Sequence, residues 1–555
     1  MDEGYVSAKS DTSSKGISYI QSIGDQDTIS QLETINEEKD CTERRVHSSL
    51  SKAAVLILLA YACERAAYFT IVNYMNELWL VTFNSTTASA VVVHMAFVGA
   101  SACLGIFGGT MADTFLRPIP TLTLGYVLFS LGLIFLEFAE HIERSNSTAK
   151  HLAVAGLATA AFGQGCIGTV LPVVGAEQLP DEKHRRRYIH WFYLWRNVGA
   201  MIADISSAIT EGIPGLPLHF KFLIAPLSGL LSLILFFVAL WVRVRSPYEK
   251  KGTFRSSVTA LHETLTATLN FFKRGRRGGA KGKVSKRLDK KEPDPKEQHK
   301  RNRVRDLLRI LLVNSAVVGF GFLYTPIMTI YSLQATGLNS TVNGHLFPSP
   351  STQIILFNEV VIVLVIPFTI YYVYPRISSR KRRLYISRTC VGVVLSIISG
   401  LVAIALEMGR KMNCAQNRGF STISIFAQGP QYGLIALAEM FTALTVKEFS
   451  YMEAPDGLKC FSMGLHQTAL GLSFLISLGI ESLVKTYTDW YDFDSNDTCL
   501  ASDPSHLEYF LAILVVMSVV FSVIFPLVTR IPKTINEEGE RKEFREELTD
   551  FTTNK

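Results

Sequence analysis

Residues 51–75 read SKAAVLILLAYACERAAYFTIVNYM. A helix needs about 20 apolar residues to cross a bilayer, and this run is long enough. Yet Glu64 and Arg65 stand side by side near its middle. A charge at bilayer depth costs roughly 2.5–3.5 kcal/mol on insertion scales, so such residues face a cavity or a partner. Two readings are open. The pair is either a structural ion pair between packed helices or part of a substrate or proton site.

The same pattern of long apolar runs continues along the chain. Of 555 residues, 48% are hydrophobic, a composition that favours a membrane protein over a string of soluble domains. About twelve runs approach 20 apolar residues: 52–75, 89–112, 119–140, 151–172, 191–212, 219–242, 306–332, 353–375, 386–409, 429–451, 461–483 and 506–530. The opening MDEGYVSAKSDTSSKG has no basic start and no short apolar core, so no cleavable signal peptide is expected. Residues 1–50 read as a disordered cytosolic tail and 531–555 as a second cytosolic tail.

Charge sets the orientation. Lys and Arg gather in cytoplasmic loops, here HRRR (184–187), RISSRKRR (376–383) and the stretch 243–305, with about twenty basic residues against about six acidic ones. The sequons at Asn84, Asn146, Asn339 and Asn496 need a non-cytosolic loop. All four fall in loops that the charge rule places outside, with both termini inside. Eight cysteines offer no metal spacing and no CxxC. Cys63, Cys103, Cys166 and Cys390 read as packing residues, and Cys414 and Cys499 as outer-loop residues able to bridge. No metal site is expected.

The spans divide six and six: a first half over 51–242, a basic cytosolic linker over 243–305 and a second half over 306–530. The linker contains KRGRRGGAKGKVSKRLDKKEPDPKEQHKRNR (273–303), which suits solvation or contact with anionic lipid. Its tethering between membrane halves argues against nucleic acid. The whole resembles the major facilitator fold, an all-α polytopic membrane protein. In such transporters a midplane site lies between two halves that give alternating access. GGTMADTFLRP (108–118) supports it, with Gly108 and Gly109 for close helix approach and Asp113 and Arg117 in the loop signature.

Several motifs narrow the resemblance. Span 1 carries ERAAYF (64–69), span 4 and its exit GQGCIGTVLPVVGAEQL (163–179), span 5 HWFYLWRNVGAMI (190–202), span 7 ends in TIYSLQA (329–335) and span 10 reads PQYGLIALAEMFTALTVKEFSYMEAP (430–455). In this order they resemble the proton-coupled oligopeptide transporters, solute carrier family 15, and TIYSLQ leans toward the peptide/histidine branch. The resemblance implies a secondary transporter of di- or tripeptides or histidine-like amino acids, with protons as coupling ion and no other cofactor. It implies Arg65 as a fork for the substrate carboxylate, Tyr68 as a wall, and Asn197 and Asn358 as amide partners of the substrate backbone. Glu439 is implied as the acid for the substrate amine, and Glu64 and Glu439 as proton carriers. Asparagines in membrane helices also serve as interhelical glue. His94, His190 and His466 read as packing or loop residues, and Lys447 and Glu448 as residues solvated at the cytoplasmic end of span 10.

Three positions depart from the family pattern. Tyr61 stands where an acid is usual, Gly168 where span 4 carries a lysine, and Thr325 near a span-7 acid. Two further readings therefore stay open: a weakly transporting relative acting as membrane scaffold or sensor, and a carrier of nitrate or another small anion. An enzyme is not expected, since no nucleophile–base pair, phosphate loop or metal cluster is readable. The plasma membrane and endolysosomal membranes are both compatible.

Overall fold

The computed structural model describes residues 26–142, 147–213, 215–242, 295–342, 345–346, 350–373, 381–417, 421–488, 490 and 506–530. They are almost wholly helical. Ten helices are long and apolar enough to span a membrane. In chain order the long helices are α1 (Gln26–Glu77), α2 (Thr87–Cys103, running on through Gly105–Thr110), α3 (Pro118–His141), α4 (Ser147–Ala176), α5 (Glu182–Glu211) and α6 (Ile224–Val242). Then come α7 (Pro295–Tyr324), α8 (Pro350–Phe368), α9 (Lys381–Gln416), α10, α11 (Lys459–Tyr487) and α12 (Leu507–Ser522). Helix α10 is built from Gly429–Glu439, a π turn over Met440–Leu444, and Thr445–Met452.

The two expected spans outside the ten are α5 and α10. Both are helical but fall short of that apolarity, and Asn197 and Asp204 of α5 and Glu439, Lys447 and Glu448 of α10 lie in the interior. Two boundaries also differ from the sequence reading. Helix α1 starts at Gln26, inside the segment expected to be a disordered tail, and α7 starts at Pro295, inside the expected linker. Residues 1–25, 243–294 and 531–555 lie outside the described residues.

Local chemistry explains several ends. Thr86 caps α2 by accepting from the Ser89 N–H. Pro118 opens α3, where its missing N–H costs nothing. The preceding Arg117 takes φ 69° to make the turn.

Helices α1 to α6 pack mainly on one another, as do α7 to α12, and the two sets meet where α2 lies on α11 and α5 on α8. The apolar windows of α4 and α7 are 83% and 89% buried, against 28% for α6 and 33% for α12. That contrast separates an inner set of helices from a lipid-facing one.

Candidate functional site

Glu64 and Arg65 point into the bundle, 0% and 5% exposed. Arg65 closes on its own neighbour: Nε donates to Glu64 Oε2 at 2.8 Å and a terminal nitrogen to Oε1 at 2.7 Å. The guanidinium lies 4.4 Å from the Tyr68 ring centroid and 5.4 Å from that of Tyr61. Tyr68 hydroxyl is tied to Ser101 at 3.0 Å. Tyr61, in place of the usual acid, stacks on Phe192 of α5 with centroids 3.9 Å apart. An aromatic stack therefore fills the position where the family carries a charge.

Glu439, on α10, is 1% exposed. Its ion-pair partner is Arg196 of α5, at 2.9 Å. Tyr193 donates to the same oxygen, Oε1, at 2.5 Å. This ion pair ties the first half to the second. Arg196 stands next to Asn197 within a quoted motif, and only its charge in a membrane span could have marked it. Asn197 uses Nδ2 on its own helix, donating to the Tyr193 carbonyl at 2.9 Å.

On the α8 side the acceptors lack donors. Glu439 Oε2, Asn358 Oδ1 and Glu359 Oε2 are buried and make no hydrogen bond. Glu359, 4% exposed, is a further interior acid that the sequence reading passed over. It lies within electrostatic reach of Asp204 and Glu439. Asp204, also 4% exposed, accepts from Asn73 Nδ2 at 2.8 Å. A buried acceptor without a donor carries its full desolvation penalty, about 1–3 kcal/mol. A bound ammonium or amide N–H would relieve it.

The end of a side chain from α11 occupies the space beside position 168. A Cβ on Gly168 would fall 2.6 Å from Gln467 Nε2 and 2.7 Å from its Oε1, so the Gln467 amide would have to swing aside for a lysine there. Lys447 supplies a cation from elsewhere. It was expected to be solvated but is 7% exposed, with its ammonium 5.0 Å from the Phe192 ring centroid.

Several contacts from opposite halves meet at the expected inner end. Glu448, likewise expected to be solvated, is 1% exposed. Its carboxylate takes His190 at 3.0 Å, Tyr385 at 2.8 Å, Arg388 at 3.3 Å and Arg186 at 3.2 Å. His190 is thus a cross-half partner rather than a packing residue. Glu177, just past α4, accepts from Tyr451 at 2.8 Å and Lys459 at 2.7 Å. Asp113 Oδ2 accepts from the Phe461 N–H at 2.8 Å, capping the first turn of α11 from the opposite half. Arg117 is exposed at its turn.

The remaining predicted positions lie away from the centre. Asn84 is exposed, with φ 45°. Asn339 Oδ1 accepts from the Thr341 N–H at 2.9 Å and hydroxyl at 2.5 Å. Asn146 and Asn496 lie outside the described residues. Cys414 is disulfide-bonded, while Cys63, Cys103, Cys166, Cys390 and Cys460 carry thiols outside any disulfide. The expected partner, Cys499, is not among the described residues.

Membrane-length helices in two packed sets, with ionisable groups buried between them, define a polytopic membrane protein with the architecture of a transporter. The PTR2 pattern of the POT family matches residues 120–494, and the chain belongs to that family. Protein NRT1/PTR FAMILY 5.14 of Arabidopsis thaliana is 24% identical over 87% of this chain and 93% of its own length. Solute carrier family 15 member 3 of Mus musculus is 25% identical over 80% of this chain and 86% of its own. The fold is also that of an auto-inhibited POT family peptide transporter. That structure aligns with TM-score 0.61 and 17% identity, covering 87% of this chain and 98% of that one.

Proposed function

We propose that this protein is a secondary transporter that moves di- or tripeptides, or histidine-like amino acids, by alternating access coupled to protons. The observation that carries this reading is the interior of the bundle. An ion pair, Arg196–Glu439, joins the halves, beside buried acceptors on Glu439, Asn358 and Glu359 that lack donors. A substrate amine has three acceptors there, and Arg65, Tyr68 and Asn197 complete the wall. The family's peptide transporters support the substrate class. Glu64 and Glu439 are the proton carriers in this reading, since a carboxylate freed from its arginine in a dry site takes up a proton.

In the cell the protein is a multi-pass membrane protein with both termini cytosolic, in the plasma membrane or an endolysosomal membrane. The basic stretch 243–305 makes contact with anionic lipid in this reading. It works as a carrier rather than an enzyme. Nitrate and scaffold readings differ from this one in a single assay. Glu64→Gln and Glu439→Gln proteins are reconstituted and labelled dipeptide is followed. Retained exchange with lost gradient-driven accumulation is expected for at least one of them. Accumulation with unchanged pH dependence in both variants would remove the proton role of these residues. Absence of dipeptide and histidine uptake by the unmodified protein would remove the substrate class.

A further inference from the structure

Of the three cations nearest the centre, two are already neutralised. Arg65 spends two donors on Glu64, and Arg196 is held by Glu439. Lys447 is different. It is 7% exposed, and no carboxylate lies within ion-pair distance of it among the described residues. Its ammonium faces aromatic rings, 5.0 Å from the Phe192 centroid and 5.8 Å from that of Tyr193. Its nearest charged neighbours are Arg196 and Arg65, each held by its own carboxylate, and His466 stands on the α11 side. A buried ammonium without a counter-ion of its own is costly unless something negative arrives.

The π turn decides where Lys447 points. In an uninterrupted α-helix, residues eight apart stand about 80° apart around the axis. The π turn Met440–Leu444 between Glu439 and Lys447 absorbs one extra residue, which brings the two to within about 20° of one face. Along the axis they are separated by about 10–11 Å, seven residues at 1.5 Å each. An extended peptide covers about 3.3–3.6 Å per residue, so two or three residues, with the reach of the two side chains, fill that span. One pole offers a free acceptor, Glu439 Oε2. The other is a cation without a counter-ion.

We infer that Lys447 is the anion contact of the central site, receiving the carboxylate, or another anionic oxygen group, of the transported molecule. This rests on the transporter reading and refines it, because it moves the carboxylate contact from Arg65 to Lys447. The shared chemistry is an anionic oxygen group; whether a peptide terminus or a free oxyanion supplies it is an outcome of the test.

The test uses purified full-length protein, with thermal shift and binding measured for dialanine, dialanine amide, nitrate and phosphate. Lys447→Gln and Lys447→Arg are compared with the unmodified chain. Dialanine is expected to stabilise the unmodified protein more than its amide. Lys447→Gln should weaken dialanine at least tenfold and erase that preference, and Lys447→Arg should restore it. Lys447→Met should also raise the thermal midpoint of the ligand-free protein, because it removes an uncompensated buried charge; this arm reads out even if Lys447→Gln folds poorly. If only nitrate or phosphate stabilises the unmodified chain and Lys447→Gln abolishes the effect, the anion site stands and the peptide reading falls. Dialanine binding with unchanged preference in Lys447→Gln, or no stabilisation of the unmodified chain by any of the anions, overturns the inference.

Discussion

Arg65 and Glu64 are adjacent in sequence and satisfy each other, so neither is free to face lipid. Breaking a buried pair leaves one charge uncompensated and costs roughly 3–5 kcal/mol, whereas removing both together costs far less. Glu64→Leu alone should therefore destabilise the purified protein more than Glu64→Leu combined with Arg65→Met. Equal or additive losses in thermal unfolding would show that the two side chains do not depend on each other. Arg65→Lys should impair transport as well, since an ammonium cannot reproduce the two-point contact with Glu64. At this scale the sequence revealed the residues whose charge stands out against apolar neighbours, Glu64, Arg65 and Glu439. It hid Lys447, because a Lys-Glu pair near a helix end reads as solvated, and it hid the π turn that aims Lys447. Arg196 was passed over among the aromatic and polar residues of α5, although its charge inside the run 191–212 was the one signal available. Glu359 followed Asn358 and drew no separate attention.

Among the helices, the inner seal depends on how closely α2 approaches α11. A Cβ on Gly109 would collide with the carbonyl of Cys460, which belongs to the opposite half. Backbone cannot retreat as a flexible side chain can. Gly109→Val should thus block inner closure while leaving each half folded. Cys460 carries a thiol and is 0% exposed, so a small maleimide should label it in Gly109→Val and not in the unmodified chain; equal protection in both would count against a seal at this contact. Glu448→Gln weakens the same end differently. It removes the charge on which His190, Arg388 and Arg186 converge, and it should increase labelling of Cys460 without the steric clash. Spans with continuous apolar runs were legible because length and hydropathy suffice for them. Helices α5 and α10 were read from the same scan as runs 191–212 and 429–451, although polar residues such as Asn197, Asp204 and Glu439 face the interior from them. The starts of α1 and α7 were missed because polar, charged sequence continues a helix as readily as it forms a loop.

For the whole molecule, the linker's charge and the order of motifs led to the expectation of two halves of membrane helices, and the all-helical membrane fold was readable from the apolar runs. How the halves engage was not. The cross-half contacts of Glu439, Glu448, Glu177 and Asp113 join residues more than 200 positions apart, which no local pattern reports. Sidedness remains a matter of charge and sequons. Asn84→Gln should remove one glycan in cells, seen as a mobility change after deglycosylation, and protease cleavage near residue 270 from the same side as Asn339 would reverse the orientation. The most direct measurement is uptake of labelled dialanine and histidine by the unmodified protein in proteoliposomes, with and without an inward proton gradient. Accumulation above the external concentration is predicted only with the gradient, and only for solutes carrying a free carboxylate. No gradient-dependent accumulation of either solute, with the protein intact and correctly inserted, would contradict a proton-coupled carrier.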